Sequence, residues 1–324
     1  MNNENTPLAV VIGALNLDII IKGLPKFAPP GEQVNGQTLE LSPGGKGRNI
    51  ATMLAAWLAP GQVSMISELV QDRFGLYRIP LQSLENAHIN TSHIKLGLDH
   101  PDDLPTLAIF LNTIDGKRAN YYLSGCNETL SPETLEHARP LFKRLTENRG
   151  FLVFSLEMPI ETACHALSMA SEFGLRVILD PGGQPPQENV NFSPLFEYPI
   201  FLIKPNKLEV ERLTGFPVSD FSSAQQSANV ILKQNVQHVL ITHGMQGAYA
   251  FTADQCWHIP SPNLPTPPHA ESTGCGDQVL AVLCAEMLHG VNFENACRTA
   301  VIAGSLQYCQ TGLTPIQPDH PLLQ

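Results

Sequence analysis

The sequence predicts an α/β fold: a mostly parallel sheet covered by helices, with a small β-sheet lid attached. Three observations carry this expectation. From about residue 132 onward, short apolar runs alternate with segments of helical periodicity, as in strand–helix–strand units. Residues 23–44 are rich in Pro and Gly and alternate in polarity, which suits a small edge sheet better than a core. Asp115-Gly116, flanked by 106–112 and 118–123, is a strong hairpin signal.

The elements follow in order. Residues 8–12 are a short β-branched run ending at Gly13, and 18–22 read as a second strand. Ile50, Met53, Leu54, Trp57 and Leu58 give 48–58 a helical face, and 63–67 is strand-like before a helix at 72–87. Beyond the hairpin come helix 132–147, strand 151–155, helix 160–173 and strands 175–180 and 200–204. Helices 206–214 and 222–234 precede strand 237–242, and 246–259 read as antiparallel strands. The Pro-rich stretch 260–268 is a stiff connection to two closing helices, 275–289 and 293–309. With no internal repeat and no composition shift, residues 1–324 are expected to form one domain.

Composition narrows the function classes. A chain of 324 residues with 43% hydrophobic and 15% charged residues has the makings of a well-buried core. Its net charge of −11 argues against nonspecific attraction to nucleic acid or an anionic membrane. Seven cysteines, an odd count without a C-x-x-C pair, argue against a disulfide framework or a structural zinc site and suit a reducing compartment. Met1 to Pro7 carry no signal-peptide pattern, and no apolar stretch approaches the ~18 residues of a membrane span. The expected setting is soluble and cytoplasmic.

The chemistry concentrates at 271–278, Glu-Ser-Thr-Gly-Cys-Gly-Asp-Gln, directly before an apolar helical pattern. Gly274, Cys275 and Gly276 would leave backbone N–H groups at the positive end of a helix, a ready anion site. Asp277 adds an acceptor where a phosphoryl-transfer enzyme needs a base. By itself the segment is read equally well as a glycine turn in which Asp277 stabilises a helix start. Cys275 sits where a thiol pKa could fall, although its small size alone accounts for its place. The chain contains no G-x-x-x-x-G-K-[ST], no G-x-G-x-x-G after the first strand, no H-E-x-x-H and no G-x-S-x-G, so the familiar nucleotide, zinc and serine-hydrolase motifs are excluded.

Four upstream segments give this motif a context: Gly13-Ala14-Leu15-Asn16-Leu17-Asp18, Gly44-Gly45-Lys46-Gly47-Arg48-Asn49, Lys204-Pro205-Asn206-Lys207-Leu208-Glu209, and Thr242-His243-Gly244-Met245-Gln246-Gly247. In this order and spacing the chain resembles the ribokinase-like (PfkB) carbohydrate kinases from about residue 8 to about residue 315. The resemblance implies a three-layer α/β sandwich with a mostly parallel central sheet, and a discontinuous β lid at about 16–43 and 106–124. It implies transfer of the γ-phosphoryl group of MgATP to a primary hydroxyl, with Asp277 as base and Gly274, Cys275 and Gly276 as anion hole.

By the same resemblance Asn16, Asp18, Gly45, Lys46, Gly47, Asn49 and Glu157 match the sugar site, and Thr242, Gly244, Gly247 and Gly276 the ATP site. Asn206 and Glu209 match the N-x-x-E motif that orders Mg²⁺ through water, and Asn206 would also cap a helix. Glu271 stands where many members place an Asp that helps bind an activating monovalent cation, and Ile316 where ribokinases supply a serine, so K⁺ activation is left open. Arg48 replaces a usual alanine, and the Gly-Gly-x-Gly-Arg-Asn pattern it completes is similar to that of pseudouridine kinases, while Tyr122 to Glu128 looks like a ribokinase segment. The leading expectation is a ribose kinase. A nucleoside or pseudouridine kinase, a phosphofructokinase and a non-catalytic sugar- or nucleotide-binding regulator on the same fold stand as alternatives. A homodimer through lid edges is the partner the resemblance implies.

Overall fold

Strand β1 (Ala9–Ile12) has no exposed residue, because it lies mid-sheet and is covered on both faces. Ala9 and Val11 enter one apolar core while Val10 and Ile12 enter the other. The computed structural model describes residues 6–97, 105–123, 125–183, 190–267 and 270–323.

In chain order there follow β2 (Asn16–Leu24), β3 (Thr38–Gly44), α1 (Lys46–Ala55), β4 (Val63–Val70), α2 (Arg78–Asn86) and β5 (Asn90–Gly97). Next are β6 (Thr106–Thr113), β7 (Arg118–Leu123), α3 (Pro132–His137), α4 (Arg139–Glu147), β8 (Phe151–Ser155), α5 (Ile160–Phe173), β9 (Arg176–Asp180) and β10 (Ile200–Ile203). The chain continues with α6 (Lys207–Thr214), α7 (Phe221–Leu232), β11 (Val236–Thr242), β12 (Ala248–Phe251), β13 (Cys256–Ile259), α8 (Cys275–Leu288) and α9 (Phe293–Tyr308).

Nine strands form one sheet in the order β13-β12-β11-β10-β9-β8-β1-β4-β5. Strands β8 through β11, β1, β4 and β5 pair in parallel, and β12 and β13 add an antiparallel edge. Helices α1, α2, α8 and α9 cover one face, and α3 to α7 the other, each with its own apolar core. This is the three-layer α/β sandwich expected. Helix α8 is buried from Asp277 to Ala285, since α1 and α9 pack against it.

The lid is a second sheet, β3-β2-β6-β7. Its register puts Ile19, Leu41, Ile109 and Tyr121 on one face and Asp18, Ser42, Ala108 and Tyr122 on the other. The second face looks into the molecule.

Three local expectations needed correction. Strand β5 was not anticipated, because Asn90–Gly97 is an edge strand with little apolar alternation. The helix expected at 72–87 starts at Arg78, since the Asp72 carboxylate accepts the N–H groups of Phe74, Leu76 and Tyr77 and holds them in a turn. The helix expected at 132–147 breaks at Ala138, because Pro140 has no N–H to continue it. Ser124 and Pro268, within two segments read from the sequence, lie outside the described residues.

Candidate active site

The parallel strands end on one side of the sheet, and polar side chains and a glycine gather at their carboxyl ends. Gly13 follows β1, Glu157 follows β8, Asp180 ends β9, Lys204 follows β10 and Thr242 ends β11. Open parallel sheets place ligands along this edge. Here it floors a cavity of about 870 Å³, roofed by Asp18, Ala108, Phe110 and Tyr122 of the lid.

Helix α8 starts at that floor. Gly274, its N-cap, has φ 76°, a left-handed backbone that favours glycine, and a Cβ there would displace the end of the Leu313 side chain. Gly276 and Asp277 fall in the first helical turn, where N–H groups have no intrahelical acceptor. A Cβ on Gly276 would approach Lys204 Nζ to 3.0 Å, which brings a cation to the same turn.

Asp277 is 4% exposed, and each of its oxygens is held. Oδ1 accepts from Lys46 Nζ at 3.0 Å and Oδ2 from Asn49 Nδ2 at 3.0 Å. Lys46 also reaches Asp180 Oδ2 at 3.3 Å, and Lys204 Nζ lies 2.8 Å from that same oxygen. The result is a chain of alternating charge, Asp277–Lys46–Asp180–Lys204, buried except at Lys46, which opens on the cavity.

Burial works against the Lys46 charge, but Asp180, Asp277, Glu157 and Glu209 outweigh it and hold the ammonium well above the ordinary lysine pKa. Burial likewise opposes the Asp180 charge, and Lys204 and Lys46 overcome it, so Asp180 is held well below the usual carboxylate range. Glu157 accepts from the Lys46 backbone N–H at 2.6 Å; burial pushes its pKa up to about 7 against the pull of Lys46. Asp18 is also raised to about 7 by burial, with Arg48 opposing.

Asn206 and Glu209 form a reciprocal capping box on α6. Asn206 Oδ1 accepts from the Leu208 and Glu209 N–H groups, and Glu209 accepts from the Asn206 N–H and Nδ2. Both residues still face the cavity. Burial, then Asp180, raises the Glu209 pKa.

Of the residues singled out in the sequence, Asn16, Asp18, Gly45, Lys46, Asn49 and Glu157 line the cavity at the lid end. Asn206, Glu209, Thr242, Gly244, Gly247, Gly274, Cys275, Gly276 and Asp277 line the remainder. Gly47 is not on the wall: it packs on Gly13, where a Cβ would lie 2.7 Å from the Gly13 carbonyl carbon. Glu271 is also off the wall, its Oε2 taken by Arg118 Nη2 at 2.8 Å. The Cys275 thiol is pushed up to about 12, chiefly by burial, so the helix start does not activate it.

Sequence reasoning missed Asp180, and it quoted Lys204 only as part of a motif. Their positions at the carboxyl ends of adjacent parallel strands were the available signal. It also missed Phe110, whose place on the inner lid face follows from strand register alone.

The family model of pfkB family carbohydrate kinases matches residues 6–320. A deoxyribokinase of Salmonella typhi is 26% identical over 311 residues, covering 95% of this chain and 94% of that one. A ribokinase of Staphylococcus aureus (strain COL) is 28% identical over 283 residues, 87% of this chain and 86% of the other. Among solved structures, Arabidopsis thaliana ribokinase complexed with ribose and ATP superposes with a TM-score of 0.81. That likeness covers 95% of this chain and 96% of the other at 22% identity, and so speaks for the fold.

Proposed function

Because the chain belongs to the pfkB family of carbohydrate kinases, it is an ATP-dependent sugar kinase, and we propose that its acceptor is a free pentose, ribose, phosphorylated on the primary 5-hydroxyl. One observation carries this reading. A single cavity runs from Asn16 and Asp18 beneath the lid to Thr242, Gly244 and Gly247, with Asp277 between the two ends. A sugar at the first end and a triphosphate at the second would meet at Asp277.

In the reaction, the sugar hydroxyl oxygen attacks the γ-phosphorus as its proton passes to Asp277. The bond to the β–γ bridging oxygen breaks, and ADP leaves with that electron pair. Lys46 and Asn49 fix the carboxylate, and each oxygen keeps a lone pair for the incoming hydroxyl. The first-turn N–H groups of α8, with Lys46 and Lys204 beside them, offset charge on the transferring group. The lid closes water out.

Among the described residues no group of three His, Cys, Asp or Glu side chains is arranged to hold a metal directly. Asn206 and Glu209 instead present isolated side-chain oxygens to the cavity, which suits Mg²⁺, an ion that keeps much of its hydration shell. When bound, Mg²⁺ would supply neutralising charge to the phosphates, with Asn206 and Glu209 holding it through water.

The lid's outer face supports pairing with a second copy of this chain. Leu39, Leu41, Tyr121 and Leu123 are 65%, 43%, 57% and 48% exposed on one apolar sheet face, with Ile19, Ile21 and Ile109 between them. This favours face-to-face pairing over the edge pairing expected from the sequence.

The test is turnover with MgATP on ribose, 2-deoxyribose, fructose, pseudouridine and adenosine, together with Asp277→Asn. Ribose is expected to give the highest kcat/KM. Asp277→Asn should bind ribose and ATP by calorimetry yet lose about 10²–10⁴-fold in kcat. Wild-type turnover by Asp277→Asn would remove the base, and preference for a nucleoside would replace the substrate.

A further inference from the structure

Arg48 has no place on the cavity wall, yet it is 9% exposed and bonded on two sides. Its Nε donates to Ser83 Oγ on α2 at 3.1 Å, and its Nη1 donates to Asn49 Oδ1 at 3.0 Å. A guanidinium has donors only, so the Asn49 atom facing it must be the carbonyl oxygen. The amide nitrogen is thereby turned the opposite way, where Asn49 Nδ2 meets Asp277 Oδ2 at 3.0 Å. The flipped amide would spoil both contacts, setting a carbonyl oxygen against the carboxylate and N–H groups against the guanidinium.

We propose that Arg48 is a positioning residue for phosphoryl transfer, locking the Asn49 amide in the one orientation that donates to Asp277 and so holding the base in place. Ser83 fixes the guanidinium from behind, and the Asp18 carboxylate at the lid base attracts it from the sugar side. Burial pulls the Arg48 pKa down to about 10 against the opposing pull of Asp18 and Asp277, so it is charged under ordinary conditions. The carboxylate then receives two fixed donors, Asn49 on Oδ2 and Lys46 on Oδ1, before any substrate arrives. Lysine is not equivalent here: one ammonium cannot reproduce a planar fork that bonds Ser83 and Asn49 together.

This inference rests on Asp277 being the base, and a double-mutant cycle separates the two. Steady-state kcat and KM are measured for Arg48→Met, Asn49→Ala and the double variant, with melting temperature as the folding control. Arg48→Met is expected to lower kcat about 10- to 100-fold while KM for ATP stays within about 2-fold. In the Asn49→Ala background the same substitution should change kcat less than about 2-fold, because the amide it orients is gone. Additive losses would overturn the proposal, as would full activity in Arg48→Lys, which keeps the charge without the fork. Should Arg48→Met fail to fold, the Arg48→Lys cycle with Asn49→Ala decides by the same criterion. Turnover retained by Asp277→Asn would remove the underlying base assignment; turnover lost there together with an additive cycle removes only the role of Arg48.

Discussion

Arg118 Nη2, on the inner lid face, lies 2.8 Å from Glu271 Oε2, in the segment that leads into the glycine turn at Gly274. The pair ties the lid to the body of the enzyme across 153 residues of chain. It also engages the carboxylate that family resemblance would give to a monovalent cation. We expect replacement of K⁺ by tetramethylammonium to change wild-type kcat less than about 2-fold. Both side chains are partly exposed, so the bridge is worth at most about 1 kcal/mol. Arg118→Ala should accordingly raise KM for the sugar by no more than about 5-fold. Strong K⁺ activation of the wild type would show that Arg118 does not hold Glu271 in solution.

Lys46 sits between two buried carboxylates, and its loss would leave Asp277 with Asn49 and Asp180 with Lys204 and the Gly182 N–H. Breaking a buried ion pair from one side costs about 3–5 kcal/mol. Lys46→Met is expected at the lower end, since each carboxylate keeps at least one partner, and urea unfolding measures it. Turnover should fall about 10²–10³-fold, as for loss of a transition-state donor. A variant as stable and active as wild type would mean that the charge chain is incidental.

Asp18 titrates at about 7 in the folded protein, against 3.8 ordinarily, because burial favours the neutral acid more than Arg48 favours the anion. Between those two values the folded state holds a proton that the unfolded chain releases. Stability from this group therefore falls as pH rises through the window and is flat above it. Glu157, raised from 4.5 to about 7, acts in the same direction. Asp18→Asn cannot ionise, so its stability relative to wild type should improve by about 2–3 kcal/mol between pH 5 and pH 8. Melting curves at both pH values check this; a difference independent of pH would contradict it.

Leu41 and Tyr121 face outward on the two edge strands of the apolar lid surface, with Ile19 and Ile109 between them. If a second copy covers that surface, wild type has the mass of two chains by light scattering at micromolar concentration. Leu41→Asp combined with Tyr121→Asp should then give one chain and a lower melting temperature. A wild type that is monomeric under those conditions ends the pairing idea.

Much of the fold was legible because it is locally encoded. The buried β-branched runs of β1 and β11, the capping box at Asn206 and Glu209 and the left-handed Gly274 each answer to a few neighbouring residues. Errors fell where a local rule met another local competitor. Asp72 captured three N–H groups that helical periodicity had assigned to α2, and Pro140 divided one helical pattern into two. Strand β5 had no readable signal, since an edge strand needs apolar residues on little of its surface.

By itself the sequence determined the α/β class, the glycine turns and the family motifs that point to Asp277. Only the tertiary structure decided what Asp277 touches. Lys46 and Asp277 are 231 residues apart, and Lys46 and Asp180 are 134 apart. They meet because sheet order sets β1, β8, β9 and β10 side by side with their carboxyl ends toward α1 and α8. Strand order is settled by burial of both sheet faces, a property of the whole chain that no short motif contains. The same is true of Arg48, which reads as a departure from a pattern until Ser83, Asn49 and Asp277 are seen around it.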